Sequence, residues 1–299
     1  MKTLALITCL GIPVLAMAPR VEAAPAATQA IELHFRAQIG RMPARCDATY
    51  ENVGTSGAAL FLQDFRIYVS AVRLLTRSGR EVPLDLTPDG IWQNDKVALL
   101  DFENASGNCN GNTAMNDRIQ GTIPAADYVG LVFELGVPFE MNHQDPTLAA
   151  APLNYSALTW PWAVGYKFTT IDFDTRPPAQ RTLIPIEGTT EKVSASGFSI
   201  HLGSTECASS GPRVPPQVPC RNPNRPTFRF AAFDARKDVL VMDLGALLAR
   251  TDVTVNMPQS PSGCMSSAKD DDCIGIMDRF GLSFRGMPSP GQQFIRSEH

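Results

Sequence analysis

Four histidines and three tryptophans stand among 299 residues, and their positions suggest where they could be pooled. His34 lies in IELHFRAQI (Ile31–Ile39), where Ile31, Leu33, Phe35, Ala37 and Ile39 alternate with polar residues. A period of two marks a half-buried strand and puts His34 on its polar side. His201 holds the same kind of position in GFSIHLG (Gly197–Gly203), opposite Phe198, Ile200 and Leu202. If those strands are neighbours in register, two imidazoles stand side by side on one sheet face, a pairing suited to Cu, Zn, Fe or Ni. A lone strand histidine is ordinarily solvated surface; the equivalence of two is what raises a shared site. His143, between Asn142 and Asp145–Pro146, is a loop residue, as a third ligand or a turn cap.

The tryptophans are weighed in the same way. Trp160 and Trp162 share the stretch Asn142–Phe168 with His143, and Trp92 precedes the polar run Gln93–Asn94–Asp95. Their plain reading is core or edge packing, because aromatic rings bury large areas. Spacing of two puts Trp160 and Trp162 on one face if the segment is extended, although Pro161 favours an edge or irregular strand. No hydrolytic chemistry is signalled: G-x-S-x-G, H-E-x-x-H and a phosphate-cradling glycine loop are all missing from the sequence. Asp270–Asp271–Asp272 lacks the order of a calcium loop and reads as helix N-terminal charge.

Residues 1–23 read as a cleaved secretory signal. Lys2 begins it, Leu4–Ala18 is apolar but broken by Gly11 and Pro13, and Val21–Glu22–Ala23 suits cleavage. That run is too short and interrupted to span a membrane, and no later stretch approaches the length required. A periplasmic or secreted chain follows, and its six remaining cysteines, Cys46, Cys109, Cys207, Cys220, Cys264 and Cys273, favour disulfides. No C-x-x-C spacing signals a redox, haem or zinc-ribbon motif. Spacing alone does not fix connectivity, but Cys207–Cys220 and Cys264–Cys273 are the preferred local closures, with Cys46–Cys109 left over. A formal net charge of −4 without a basic cluster argues against nucleic acid as a partner.

Further strands are expected over Leu60–Leu75, Val97–Phe102, Arg118–Ile123, Tyr128–Val137, Gly165–Phe173, Thr227–Phe233 and Val239–Met242. Short helices are expected from Asp243 to Arg250, and from Asp271 or Asp272 to Phe280. With 24 prolines, the pattern predicts an all-β protein, a mostly antiparallel sandwich or barrel with disulfide-stapled loops and a few short helices. One domain is expected over residues 24–286, with a frayed tail at 287–299.

Several segments in this order resemble the MbnP family. They are WQNDKVALLDFEN (Trp92–Asn104), GNCNGN around Cys109, GVPFEMNHQDP (Gly136–Pro146), PLN (Pro152–Asn154), WPWAVGYKF (Trp160–Phe168), HLGSTEC (His201–Cys207) and GCMSSAKDDDC (Gly263–Cys273). The resemblance implies an exported copper-binding protein, the four-Cys member of a metallo-mystery pair. Its partner would be a di-haem, cytochrome c peroxidase-like enzyme of the MbnH/MauG type, which oxidises one tryptophan to kynurenine. Kynurenine offers an aniline nitrogen and a carbonyl that an intact indole lacks. Carried to this chain, the expected ligands are His34, His143 and His201, and the residue to be modified is Trp92, Trp160 or Trp162. Two other readings stand beside this one: an exported sandwich that binds glycan or protein through exposed tryptophans, and a copper-dependent oxidoreductase.

Overall fold

A single 19-residue strand, Ala58–Thr76, organises the larger of two packed sheets. The computed structural model describes residues 27–161, 163–183, 191–194, 197–258 and 260–299. The expected signal segment and Trp162 therefore lie outside the described residues. In chain order the first strands are β1 (Thr28–Ile39), β2 (Met42–Pro43), β3 (Tyr50–Val53), β4 (Ala58–Thr76), β5 (Glu81–Pro83), β6 (Asp85–Leu86), β7 (Val97–Asp101), β8 (Arg118–Pro124) and β9 (Tyr128–Leu135). After helix α1 (Phe139–Asn142) come β10 (Thr169–Arg176), β11 (Gln180–Leu183), β12 (Glu191–Ser194), β13 (Phe198–Ile200), β14 (Thr227–Phe230) and β15 (Val239–Asp243). The chain closes with α2 (Leu244–Leu248), β16 (Val255–Asn256), α3 (Ile274–Phe280) and β17 (Ile295–Glu298).

One sheet runs β17-β15-β1-β8-β6, with β2 on β1; the other runs β13-β10-β4-β9-β14, with β3, β5 and β7 also on β4. Strands β11, β12 and β16 form a third, small sheet. Most pairs are antiparallel, the exceptions being β1 with β15 and β11 with β16. This is the all-β sandwich that the alternation predicts.

Side-chain alternation decides which faces meet. On β1, Leu33, Phe35, Ala37 and Ile39 are buried while His34 is exposed. Phe35 meets Phe133 of β9 edge-on at 6.0 Å, so the apolar side of β1 faces the second sheet. On β4, Phe65 turns inward and lies 6.5 Å from Phe294, just before β17. Its neighbours Asp64 and Arg66 therefore occupy the outer face of the second sheet.

The disulfides are Cys46–Cys109, Cys207–Cys220 and Cys264–Cys273, as the preferred pairing has it. Asp243 caps α2 by accepting from the Ala246 amide at 3.2 Å. Asp270, one residue before the expected position, caps the 3-10 turn Asp271–Cys273 that leads into α3, accepting from the Asp272 amide at 3.1 Å; α3 itself starts after Cys273 with no side-chain cap. Gly281, at φ 85°, ends that helix in the left-handed region that an L side chain resists. Residues 287–299 are not a frayed tail. Ile295–Glu298 pairs with β15 from Met242 to Val239, and Phe294 and Ile295 are buried. Two apolar residues in a polar stretch give no periodic signal, and only the open edge of β15 makes them a strand.

Candidate metal centre

His201 follows directly on β13 and is held from both sides. Its amide donates to the Cys264 carbonyl at 3.0 Å, and the Ser266 hydroxyl donates to its own carbonyl at 2.9 Å. The loop that grips it is the one stapled by Cys264–Cys273. Its Nε2 lies 2.8 Å from Oδ1 of Asp172 on β10. Asp172 sits one residue from the inward Ile171 and Phe173, on the outer face of the sheet with Asp64, its register partner. Burial pushes the Asp172 carboxyl up, but the hydrogen bond and charge of His201, helped by Ser199 and Lys167, bring it below its ordinary range. An ionised carboxylate only accepts, so the proton of this bond is on His201 Nε2. In the neutral ring, that leaves the Nδ1 lone pair as the donor. A carboxylate behind an imidazole is the arrangement that orients metal-binding histidines and raises their basicity.

The indole of Trp160 lies 6.3 Å from the His201 ring, centroid to centroid, at an interplanar angle of 59°. Gly203 makes that approach feasible. A Cβ there would stand 2.3 Å from Trp160 Cζ3 and 2.9 Å from the Tyr166 carbonyl oxygen, so the half-buried indole rests on bare backbone. The Trp160 amide donates to the Gly165 carbonyl at 2.9 Å, and the Val164 and Gly165 amides both donate to Pro161. Pro161 thus opens a tight turn instead of sitting in an extended edge. The fixed φ of proline pre-sets such a turn. The Ala163 amide, donating to Pro212 at 3.0 Å, ties this turn to the loop closed by Cys207–Cys220.

Asn142 joins the three segments. Its Oδ1 accepts from the Tyr166 amide at 2.9 Å, which identifies the other terminal atom as Nδ2. Nδ2 faces both Ser204 Oγ and His143 Nε2 at 3.3 Å. His143 is buried, with its ring edge-on to Phe139 at 5.4 Å and its Nε2 3.6 Å from Cys220 Sγ. The structure therefore brings His143, Trp160 and His201 into one neighbourhood.

It does not bring His34 there. β1 pairs with β15, β2 and β8, β13 pairs with β10, and the two strands belong to different sheets. His34 points away from the second sheet, Asp172 and His201 away from the first, so the imidazoles lie on opposite outer faces of the sandwich. His34 instead stands 3.0 Å from Glu32 of its own strand. Side-by-side pairing needed the strands to be neighbours, and pattern alone does not choose neighbours. Trp92 is half-buried against the core, on a turn where the Asp89 carboxylate accepts from the Ile91, Trp92 and Gln93 amides. Among the described residues, the indole in ring contact with a histidine is that of Trp160.

Next to Asp172 lies a charged cluster that sequence reasoning missed. Arg66 holds Asp64 in a two-pronged ion pair, with Nε to Oδ1 at 2.8 Å, and both are buried. Asp101 of β7, the register partner of Arg66, and Glu103 are buried as well. Burial drives Asp101 up to about 7 and Asp64 up to about 6, against the pull of Arg66. Asp172 was legible as a polar-face residue of an alternating strand, but its partner is 29 residues away in sequence.

Comparison with known proteins agrees with this architecture. The MbnP family profile matches residues 28–266. A solved structure, MbnP from Methylosinus trichosporium, is 30% identical and superposes with a TM-score of 0.75, covering 91% of this chain and 98% of its own. Comparison with curated proteins gives no match. With the profile spanning most of the described sandwich and the same fold recurring at that identity, the chain belongs to the MbnP family.

Proposed function

We propose that this protein is an exported, periplasmic copper-binding protein whose centre forms beside His201 once Trp160 has been oxidised to kynurenine by a di-haem partner enzyme. The observation that carries the reading is the Asp172–His201–Trp160 constellation: an imidazole held by a carboxylate at 2.8 Å, with an indole 6.3 Å away. The donor chemistry fits. Imidazole nitrogen suits copper, while an intact indole N–H has no in-plane lone pair to offer. Opening the pyrrole ring between its two carbons leaves an aniline nitrogen and a ketone, and hydrolysis then releases one carbon as formate. The cleavage takes up two oxygen atoms from two waters, and its four electrons leave through the di-haem partner to two molecules of peroxide, which with the four released protons become water. His143, joined to the same wall through Asn142 and Ser204, is the further imidazole available to this centre. His34 lies on the other side of the sandwich and is not part of this proposal.

Bound copper would supply a redox-active, Lewis-acidic cation. The chain's own residues do the positioning: Asp172 fixes the His201 ring, Gly203 seats the aromatic residue, and Asn142 pins the loop that carries His143. A binding protein and substrate of the partner is favoured over an oxidoreductase, because the residues around His201 are occupied in holding one another. The glycan-stacking reading is less well supported, since Trp92 and Trp160 are both half-buried.

The test is to produce the chain with and without an MbnH/MauG-type enzyme. Co-production is expected to add about 4 Da to the peptide bearing Trp160, the covalent change of kynurenine formation, and to give tight binding of copper. Modification of the Trp92 peptide instead, or copper affinity indifferent to His201→Ala, would refute the assignment.

A further inference from the structure

The three disulfides differ in what a reductant can reach. Cys46, Cys109, Cys220, Cys264 and Cys273 are buried, whereas Cys207 is half-exposed. Thiol–disulfide exchange needs access to one sulfur, so Cys207–Cys220 is the bridge open to attack. The other sulfur of that bridge, Cys220 Sγ, lies 3.6 Å from His143 Nε2.

The state of that nitrogen follows from its neighbours. Asn142 presents Nδ2 to it, because Oδ1 is taken by the Tyr166 amide. An amide nitrogen has only hydrogens to give, so Nε2 is the nitrogen that carries the ring's lone pair. One imidazole nitrogen and the two sulfurs all lie within 4.8 Å of one another. With the bridge closed, neither sulfur is a thiolate, the form in which cysteine binds metal.

We propose that reduction of Cys207–Cys220 creates a second metal site that takes His143 in place of the His201 centre: His143 and two thiolates hold a soft cation, Cu(I) in preference to Zn(II). The reductant is a dithiol. One of its thiolates attacks Cys207 Sγ, the Cys207–Cys220 bond breaks, and Cys220 leaves beside His143. The mixed disulfide then resolves, so the dithiol is oxidised to its own disulfide while its two electrons and two protons end on Cys207 and Cys220. Metal binding releases both protons, because the thiolate is the ligand.

The preference for Cu(I) follows from the donor set. Thiolates favour soft cations, and Cu(I) accepts three donors. Structural Zn(II) wants a closed tetrahedron, and among the described residues no further His, Cys, Asp or Glu joins this group. The Cα atoms of Cys207 and Cys220 are 4.0 Å apart, so the released sulfurs need little backbone movement to share one ion at about 2.3 Å each.

This site does not depend on kynurenine, so it is tested on the full chain made without a di-haem enzyme, its tryptophans intact. The protein is exposed to dithiothreitol, stripped of it, and split. One part is alkylated and mapped; the other is titrated anaerobically with Cu(I) or Zn(II) against a chromophoric chelator. Alkylation is expected at Cys207 and Cys220 first, together with roughly one added Cu(I) per chain. That binding should be lost after alkylation, lost in Cys207→Ser/Cys220→Ser, and weakened at least ~10-fold in His143→Gln. Far-UV circular dichroism checks that the variants fold, and the alkylated natural chain repeats the thiol test without a substitution. Prior opening of a buried bridge, no added Cu(I) on reduction, or Cu(I) uptake that survives alkylation would overturn the proposal. Equal retention of Zn(II) would overturn its metal preference.

Discussion

Replacing Gly203 by alanine puts a methyl group where the indole of Trp160 now lies. The added Cβ would stand 2.3 Å from Cζ3 and 3.1 Å from Cη2, with the Tyr166 carbonyl oxygen at 2.9 Å on another side. Ordinary contact begins near 3.4 Å, so the ring must withdraw by about 1 Å or the 201–204 backbone must shift. Gly203 is not in the left-handed region, so the cost is steric and not conformational. Forcing extra volume into a packed contact costs about 1–3 kcal/mol. In domains somewhat smaller than this one, each kcal/mol lowers Tm by roughly 2–4 °C. Displacement on that scale also degrades a binding constellation, whose parts must hold within about 0.5 Å. Gly203→Ala is thus expected to lower Tm by several degrees, to shift tryptophan emission, and to weaken copper binding by ~10-fold or more in co-produced protein. Gly211→Ala is the control, since its Cβ would meet only Val214 Cγ2, at 3.6 Å. If the two variants behaved alike in calorimetry, emission and titration, the seating of Trp160 on Gly203 would be wrong.

The charged outer face yields three more expectations. Asp172→Asn keeps an acceptor for His201 but removes the charge that orients and strengthens the ring, so copper affinity should fall ~10–100-fold in a competition titration; unchanged affinity would remove Asp172 from the centre. Arg66→Ala leaves Asp64 buried without its cation and should cost about 3–5 kcal/mol in denaturant unfolding, far beyond a surface change. Asp101, raised by burial to about 7, binds its proton more tightly folded than unfolded, where the usual value is near 3.9. Its contribution to stability is therefore full below pH ~4 and lost as pH rises through about 7. Tm measured against pH should decline less over that window in Asp101→Asn than in the natural chain, and parallel curves would contradict the raised carboxyl.

Much of this fold is legible in the residues, and the reasons are local. Alternation in Ile31–Ile39 and Phe198–Leu202 fixes which side of each strand is buried, because the pleat has period two. Short-range closure likewise favours Cys207–Cys220 and Cys264–Cys273. What alternation does not carry is which strand lies beside which. His34 and His201 have equivalent faces on their own strands yet end on opposite sides of the molecule, because β1 and β13 enter different sheets. The Asp64–Arg66–Asp101 cluster was hidden for a related reason. Charged residues in apolar strands read as solvent-facing, yet Asp64, Arg66, Asp101 and Glu103 are all buried. Pro161 misled in another way: a rigid residue between two indoles suggested an irregular strand, whereas it starts the turn that sets Trp160 against Gly203.

The strand β17 has a bearing on solubility. β15 lies between β1 and β17, and Leu240, Val241 and Met242 are fully buried. Stripped of β17, it would present a row of open amides and carbonyls next to a short apolar run, the template on which chains stack edge to edge. β17 covers that row with Ile295 turned inward and Arg296 and Glu298 at the new border, where Glu298 also binds Arg36. The last residues thus act as gatekeepers. Clipping the chain before Phe294 would trade a charged border for a sticky one and turn the sandwich toward self-association.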